Sequence, residues 1–193
     1  MVIGVTGGIG TGKSLFSGFL EEMGATVISA DDIVYQLYQN DDILKNKLAE
    51  CFGNEVIKDS RVDRQRLSSI VFGDQQALSK LNRLVHKRVG EEMRKRIKEN
   101  PYKKILVLDV PIPVKEDFTD LCDMVVTISS PLKDRIERVV QRSGMTEAQI
   151  RERIDAQPSA DEYERLADVV IVNDGNIAEL KEKAENFFNG LKP

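Results

Sequence analysis

The stretch Gly7-Gly8-Ile9-Gly10-Thr11-Gly12-Lys13-Ser14 constrains this chain more than any other. It fits G-x-x-x-x-G-K-[ST], the phosphate-binding P-loop pattern. The apolar run Val2-Ile3-Gly4-Val5 precedes it and a helix-like pattern over 13–23 follows it, which is the strand–loop–helix setting such a loop needs. Glycines let backbone N–H groups curl around an anion with no Cβ in the way. The helix that follows turns its positive end to the same anion. Lys13 adds a point charge for β/γ-phosphates, and Ser14 offers a hydroxyl to Mg²⁺. The alternative is a glycine-rich strand–helix turn with a surface lysine; the flanking pattern favours the P-loop.

A chain of 193 residues suits one domain, or one domain with an inserted subdomain, and can bury a substantial core. Lys and Arg number 28 against 32 Asp and Glu, a net charge of −4. That balance gives no reason to expect nucleic-acid binding, which shows as a basic surplus, although a local basic groove stays open. No apolar run approaches the roughly 20 residues of a membrane span. The N-terminus runs straight into a strand with no signal peptide. The expectation is a cytoplasmic protein with neither nucleic acid nor membrane as partner, a monomer or weak homo-oligomer. Cys51 and Cys122 are isolated; they read as two reduced thiols rather than a disulfide or metal pair.

Residues 2–6 read as a buried strand, 13–23 as a helix closing at Gly24, and Thr26-Val27-Ile28 as a second strand ending at Ser29-Ala30-Asp31-Asp32. This is β-loop-α-β, the opening of a doubly wound parallel α/β sheet. Residues 32–100 break the alternation and read as a helical insertion, with helices expected near 63–73 and 75–99 and a turn at Asp59-Ser60. Three further strands follow: 104–109, 124–128 and 168–172. The expected whole is one P-loop domain over 1–193, with about five parallel strands, an acceptor-binding insertion at 32–100 and a lid at 143–160 hinged at Gly144. Arg135, Arg138 and Arg142 share a helix face. Arg138 and Arg142 are read as functional and Arg135 as surface.

Phosphoryl transfer needs an anion cradle, a metal, charge on the migrating group and a held nucleophile. Asp109 ends the central apolar run Ile105-Leu106-Val107-Leu108. There it orients Mg²⁺, or else caps the next segment. Asp31 is placed to accept a proton from an attacking hydroxyl, or else caps a helix. Arg142, like an arginine finger, spreads charge over the γ-phosphate. His86, the only histidine, lies near an apolar helix face and reads more readily as a structural hydrogen-bonder than as a catalyst.

Taken end to end, the chain resembles the dephospho-CoA kinases. Thr6-Gly7-Gly8-Ile9-Gly10-Thr11-Gly12-Lys13-Ser14 is similar to that family's opening T-G-G-I-G-S-G-K-S, and Val27-Ile28-Ser29-Ala30-Asp31 to its V-I-D-A-D. Asp63-Arg64 through Leu67 to Val71-Phe72, with Leu81-Asn82 and Val85-His86, resembles its middle block. Asp109-Val110-Pro111 resembles the start of its D-x-P-L-L-F-E. Arg138, Gln141-Arg142, Arg153, Gln157, Ala167 to Ile171 and Asn173 resemble its lid and last strand. The resemblance implies an enzyme that phosphorylates the ribose 3′-hydroxyl of dephospho-CoA with ATP and Mg²⁺. Gly8, Ile9, Gly10, Thr11, Gly12, Lys13 and Ser14 would hold ATP together with Arg138, and the segment near Asn173 would contact its adenine. Asp31 would be the base, acting with Lys13 and Arg142. Asp31, Arg64, His86 and Pro111 would line the dephospho-CoA side, and Ser14 and Asp109 would hold the metal.

Several positions depart from the pattern. Ser29 replaces the first acid of D-A-D, Leu15 a threonine, Tyr35 an arginine, Lys87 a proline, and Lys115 the glutamate of P-L-L-F-E. These keep open another small-metabolite or nucleotide kinase on the same scaffold, or a non-catalytic paralogue that binds such ligands. A regulatory switch lacks support, since no guanine-reading N-K-x-D is present.

Overall fold

The apolar runs become strands and the amphipathic stretches helices. The computed structural model describes residues 1–113 and 118–191. One sheet contains β1 (Val2–Thr6), β2 (Thr26–Ser29), β5 (Leu106–Asp109), β6 (Met124–Ser129) and β7 (Val169–Val172), side by side in the order β2-β5-β1-β6-β7. Every pairing is parallel. Parallel strands must be joined by crossovers, and such sheets are generally covered on both faces, which is why these runs are almost continuously apolar; the edge strand β7 leaves Val170 and Val172 exposed. The chain first winds from β1 to β2 and β5, then returns to the other side for β6 and β7. The loops after β1 and β5 therefore leave the sheet at its carboxyl edge beside the point of reversal, where open α/β sheets hold ligands.

α1 (Lys13–Glu22) and α9 (Ile177–Gly190) cover one face. Phe16, Phe19, Leu20, Leu180 and Ala184 bury against Ile3, Val5, Val107, Val126 and Ile128. The Phe16 and Phe187 rings stand 5.9 Å apart, tilted by 52°, a favoured aromatic geometry. Gly4 alternates with Ile3 and Val5 and so points to the opposite face. A Cβ on Gly4 would lie 2.6 Å from Phe118 Cζ and 2.7 Å from Cys122 Sγ. Burial pushes the Cys122 thiol up to about 12, with Asp123 and Asp168 adding to the shift, so it stays protonated at neutral pH.

Residues Ala30–Arg96 form a second compact unit. It holds α2 (Ala30–Asn40), α3 (Asp42–Phe52), the strands β3 (Ile57–Lys58) and β4 (Arg61–Val62), α4 (Arg64–Val71) and most of α5 (Gln75–Glu99). Ile33, Leu37, Leu44, Leu48, Leu67, Val85 and Met93 are buried in it. Asp41 caps α3, accepting from Leu44 N–H at 2.8 Å, and Arg88 of α5 donates to it through Nε at 3.0 Å. Burial opposes ionisation of Asp41, but the Leu44 N–H and Arg88 outweigh it and hold the carboxyl below its ordinary range.

Two details differ from the sequence expectation. The Asp59-Ser60 turn joins a true antiparallel hairpin, β3–β4. Both turn residues have positive φ, 49° and 63°, matching the right-handed twist of the flanking strands. Two residues a side are too few for an alternating pattern to show. Second, β2 stops at Ser29, and Asp31 and Asp32 lie in the first turn of α2 rather than on a strand end. Acids are favoured there by the helix dipole. Among the described residues no helix is long and apolar enough to cross a membrane.

Gly4→Ala overpacks the face under β1 and is expected to cost about 1–3 kcal/mol, read as a lower urea midpoint. Arg88→Ala removes charge-assisted bonds to Asp41 and should cost about 1.5–3 kcal/mol at pH 7. The folded Asp41 pKa is depressed, so its contribution is present above the unfolded carboxylate value and lost as pH falls through the folded one. The Arg88→Ala deficit in urea melts should therefore shrink below about pH 4.

Candidate active site

The loop between β1 and α1 is held by its own groups and by the end of the sheet. Thr11 Oγ1 donates to Gly8 O at 2.9 Å. Gly12 is the N-cap of α1 with φ +95°, and a Cβ there would lie 2.4 Å from Asn173 Nδ2. Glycine is needed on both counts. Asn173, 5% exposed, follows β7; its Nδ2 donates to Thr11 O at 2.8 Å and its N–H to Ser129 O at 2.7 Å.

Lys13 begins α1 and is 8% exposed; Asp109 ends β5 and is 6% exposed. They form a buried ion pair. β1 and β5 are adjacent, with Val5 in register with Asp109, so the helix start and the strand end face each other. Ser14, next to Lys13 in the first turn, is exposed.

Ile9 is gripped at three points by the segment after β6. That segment comprises α6 (Leu132–Ser143), α7 (Glu147–Asp155) and α8 (Ala160–Arg165). Arg135 Nε donates to Ile9 O at 2.9 Å. Ile9 N–H donates to Gln157 Oε1 at 2.8 Å. The Ile9 side chain packs on Ile136, Val139 and Ile150. Arg135 is thus half-buried against the loop, which corrects its assignment to the surface. It adjoins Ile136 and stands one turn before Val139, so it flanks the buried stripe of α6. That adjacency was the signal available in the sequence. Gln157 was seen there only as part of a resemblance, and its bond to the loop needed the fold.

Burial pulls the Arg135 guanidinium below its ordinary value, with Tyr163 opposing. Burial likewise pushes the Tyr163 phenol up to about 12, against the pull of Arg135. The Tyr163 hydroxyl donates to Pro111 O at 2.7 Å. Pro111 therefore presents a carbonyl already in use. Lys115 lies outside the described residues.

Arg138 ties the site together. Its Nη1 donates to Ser130 Oγ at 2.8 Å, and its Nη2 to Asn173 O at 3.2 Å and Gly175 O at 3.3 Å. Nη1 also reaches Gly10 O at 3.4 Å. Arg138, Arg142 and Asn173 line a cleft of about 800 Å³ together with Leu15 and Ile177. Leu15 is 41% and Ile177 66% exposed. Cations beside bare apolar walls suit a flat base carrying phosphates.

The structure thus gathers the P-loop, Asp109, Arg135, Arg138, Arg142 and Asn173 in the unit containing the sheet. Asp31, Arg64 and His86 belong to the helical unit. Asp31 is exposed, two residues beyond Ser29, whose Cα pairs with that of Asp109. Arg64 opens α4 and is exposed; His86 is part-buried on α5.

The profile of the dephospho-CoA kinase family, CoaE, matches residues 1–179. The chain belongs to this family. A dephospho-CoA kinase of Thermobifida fusca is 36% identical over 191 residues, covering 98% of this chain and 96% of that protein. One of Bacillus cereus is 36% identical over 190 residues, covering 96% and 94%. Among solved structures, a Thermus thermophilus protein superposes with a TM-score of 0.83 at 25% identity, covering 100% of this chain and 98% of that one. Shikimate kinase from Acinetobacter baumannii shares the fold at a TM-score of 0.58 and 17% identity, covering 99% and 95%.

Loosening the grip on Ile9 should weaken nucleotide binding. Arg135→Ala should lower the affinity for ATP in calorimetric titration roughly tenfold, the equivalent of one charge-assisted hydrogen bond. Arg135→Lys restores charge without the fork and should recover only part of it.

Proposed function

We propose that this chain transfers the γ-phosphoryl group of ATP to the ribose 3′-hydroxyl of dephospho-CoA, giving CoA and ADP. The observation that carries this reading is the buried Lys13–Asp109 pair at the mouth of a glycine-rich loop, in a chain matched over 1–179 by the dephospho-CoA kinase family. Asp31 accepts the proton of the 3′-hydroxyl. The hydroxyl oxygen forms its bond to the γ-phosphorus as the bond to the β-phosphate oxygen breaks, and ADP leaves with that electron pair. Lys13 and Arg142 offset the charge that spreads over the migrating group. Positioning and preset charge supply most of the rate.

The base of ATP occupies the cleft beside Asn173, against Leu15 and Ile177, while residues 8–14 cradle its phosphates. Arg64, His86 and Pro111 are the residues we assign to dephospho-CoA binding. Among the described residues no cluster of three or more metal-ligating side chains occurs. The Ser14 hydroxyl and the Asp109 carboxylate are nonetheless hard oxygen donors of the kind Mg²⁺ takes alongside substrate phosphates. Bound there, Mg²⁺ would neutralise phosphate charge. The insertion over 32–100 acts as the acceptor-binding part and 143–160 as the lid.

Release of ADP from ATP and Mg²⁺, followed with dephospho-CoA and then with adenosine, AMP and other nucleosides, tests this. Strong stimulation by dephospho-CoA alone is expected; stimulation by another acceptor would assign a different kinase. Lys13→Ala should abolish turnover. Asp31→Asn should cut kcat by about 10²–10⁴ with ATP affinity held, and near-normal turnover would remove Asp31 as the base.

A further inference from the structure

α4 buries one side and offers the other. Leu67 and Val71 are buried, while Arg64, Gln65, Ser68, Ser69 and Phe72 line an open cleft of about 670 Å³. These positions run i, i+1, i+4, i+5, i+8, the spacing of one helical face. Phe72 is 88% exposed, although burying such a side chain would stabilise the fold. Its backbone is well held. Phe72 N–H donates to Ser68 O at 2.9 Å, and Gly73 turns the chain at φ +79°. Asp74 then starts α5 by accepting from the N–H groups of Gln76 and Ala77.

A ring kept in water on a fixed backbone is a stacking platform. Its neighbours define what stacks. The Arg64 guanidinium suits a phosphate or diphosphate. The Gln65 carboxamide carries the donor–acceptor pair that matches an adenine edge. The phenyl face takes the face of a base, whatever its sequence of substituents. Phe72 lies eight positions after Arg64, about 12 Å at 1.5 Å per residue, enough for a base at one end and its phosphates at the other.

We propose that Phe72 stacks on the adenine of the acceptor nucleotide, with Gln65 at the base edge and Arg64 on the diphosphate. This rests on the reading of the chain as a dephospho-CoA kinase and adds to it a site for the acceptor base.

The chain has no tryptophan, so Phe72→Trp creates a single fluorescent reporter at an exposed position. Dephospho-CoA should quench it; 4′-phosphopantetheine, which lacks the purine, should not. Equal quenching by 4′-phosphopantetheine would assign the ring to the pantetheine arm, and equal quenching by ATP to the donor nucleotide. Either result, or no quenching by dephospho-CoA, overturns the proposal. In kinetics, Phe72→Ala should raise the KM for dephospho-CoA about tenfold, the loss of one base–aromatic stack. Phe72→Tyr should keep it and Phe72→Leu should not, while the KM for ATP holds in all three. Wild-type turnover of dephospho-CoA with an unmoved KM in Phe72→Ala sinks the stacking site alone. A wild-type chain inactive on dephospho-CoA sinks the kinase reading, and the fluorescence titration still decides the site.

Discussion

A glycine-rich loop can bind phosphate only if its freedom is removed beforehand. Glycine loses more conformational entropy on ordering than any other residue, so something outside the loop must hold it. Here the holding groups come from every side. Ile9 is fixed through its carbonyl by Arg135, its N–H by Gln157 and its side chain by the α6–α7 cluster. Thr11 is fixed by Asn173, and Gly10, Asn173 and Gly175 share the guanidinium of Arg138. The loop is continuous with β1, but its geometry is set by residues more than a hundred positions later.

The second constraint is electrostatic. Lys13 and Asp109 are both almost wholly buried. Two charges removed from water are tolerated only when well paired, and removing one partner leaves the other uncompensated at a cost of about 3–5 kcal/mol. The parallel register of β1 and β5 makes the pair possible, because it brings the start of α1 and the last residue of β5 to one edge of the sheet. The sheet is thus scaffold and charge template together, and a nucleotide phosphate would share Lys13 with Asp109.

The helical unit follows different logic. One of its internal ties is Asp41, which caps α3 and is clasped by Arg88. With that tie and the buried stripes of α2, α3, α4 and α5 fixing the helices, the outer face of α4 is left to polar side chains and one bare ring. A phenyl ring left in water forgoes stability, and such concessions are commonest where a ligand restores what was lost.

The sequence by itself determined the P-loop, the succession of strands and helices, and the break in alternation after Asp32, because glycine spacing and apolar periodicity are local properties of the chain. It also singled out Lys13, Asp109, Arg138 and Asn173. It misplaced Arg135, since a helical face says which residues lie together and not what the face meets. It could not foresee Gln157 on Ile9 or Asn173 on Thr11, which are 148 and 162 residues apart in the chain. Only the tertiary structure decided those contacts, because parallel strands bring the ends of distant segments to a single edge of the sheet. A hydrogen bond formed there depends on strand order and register, which no local pattern encodes.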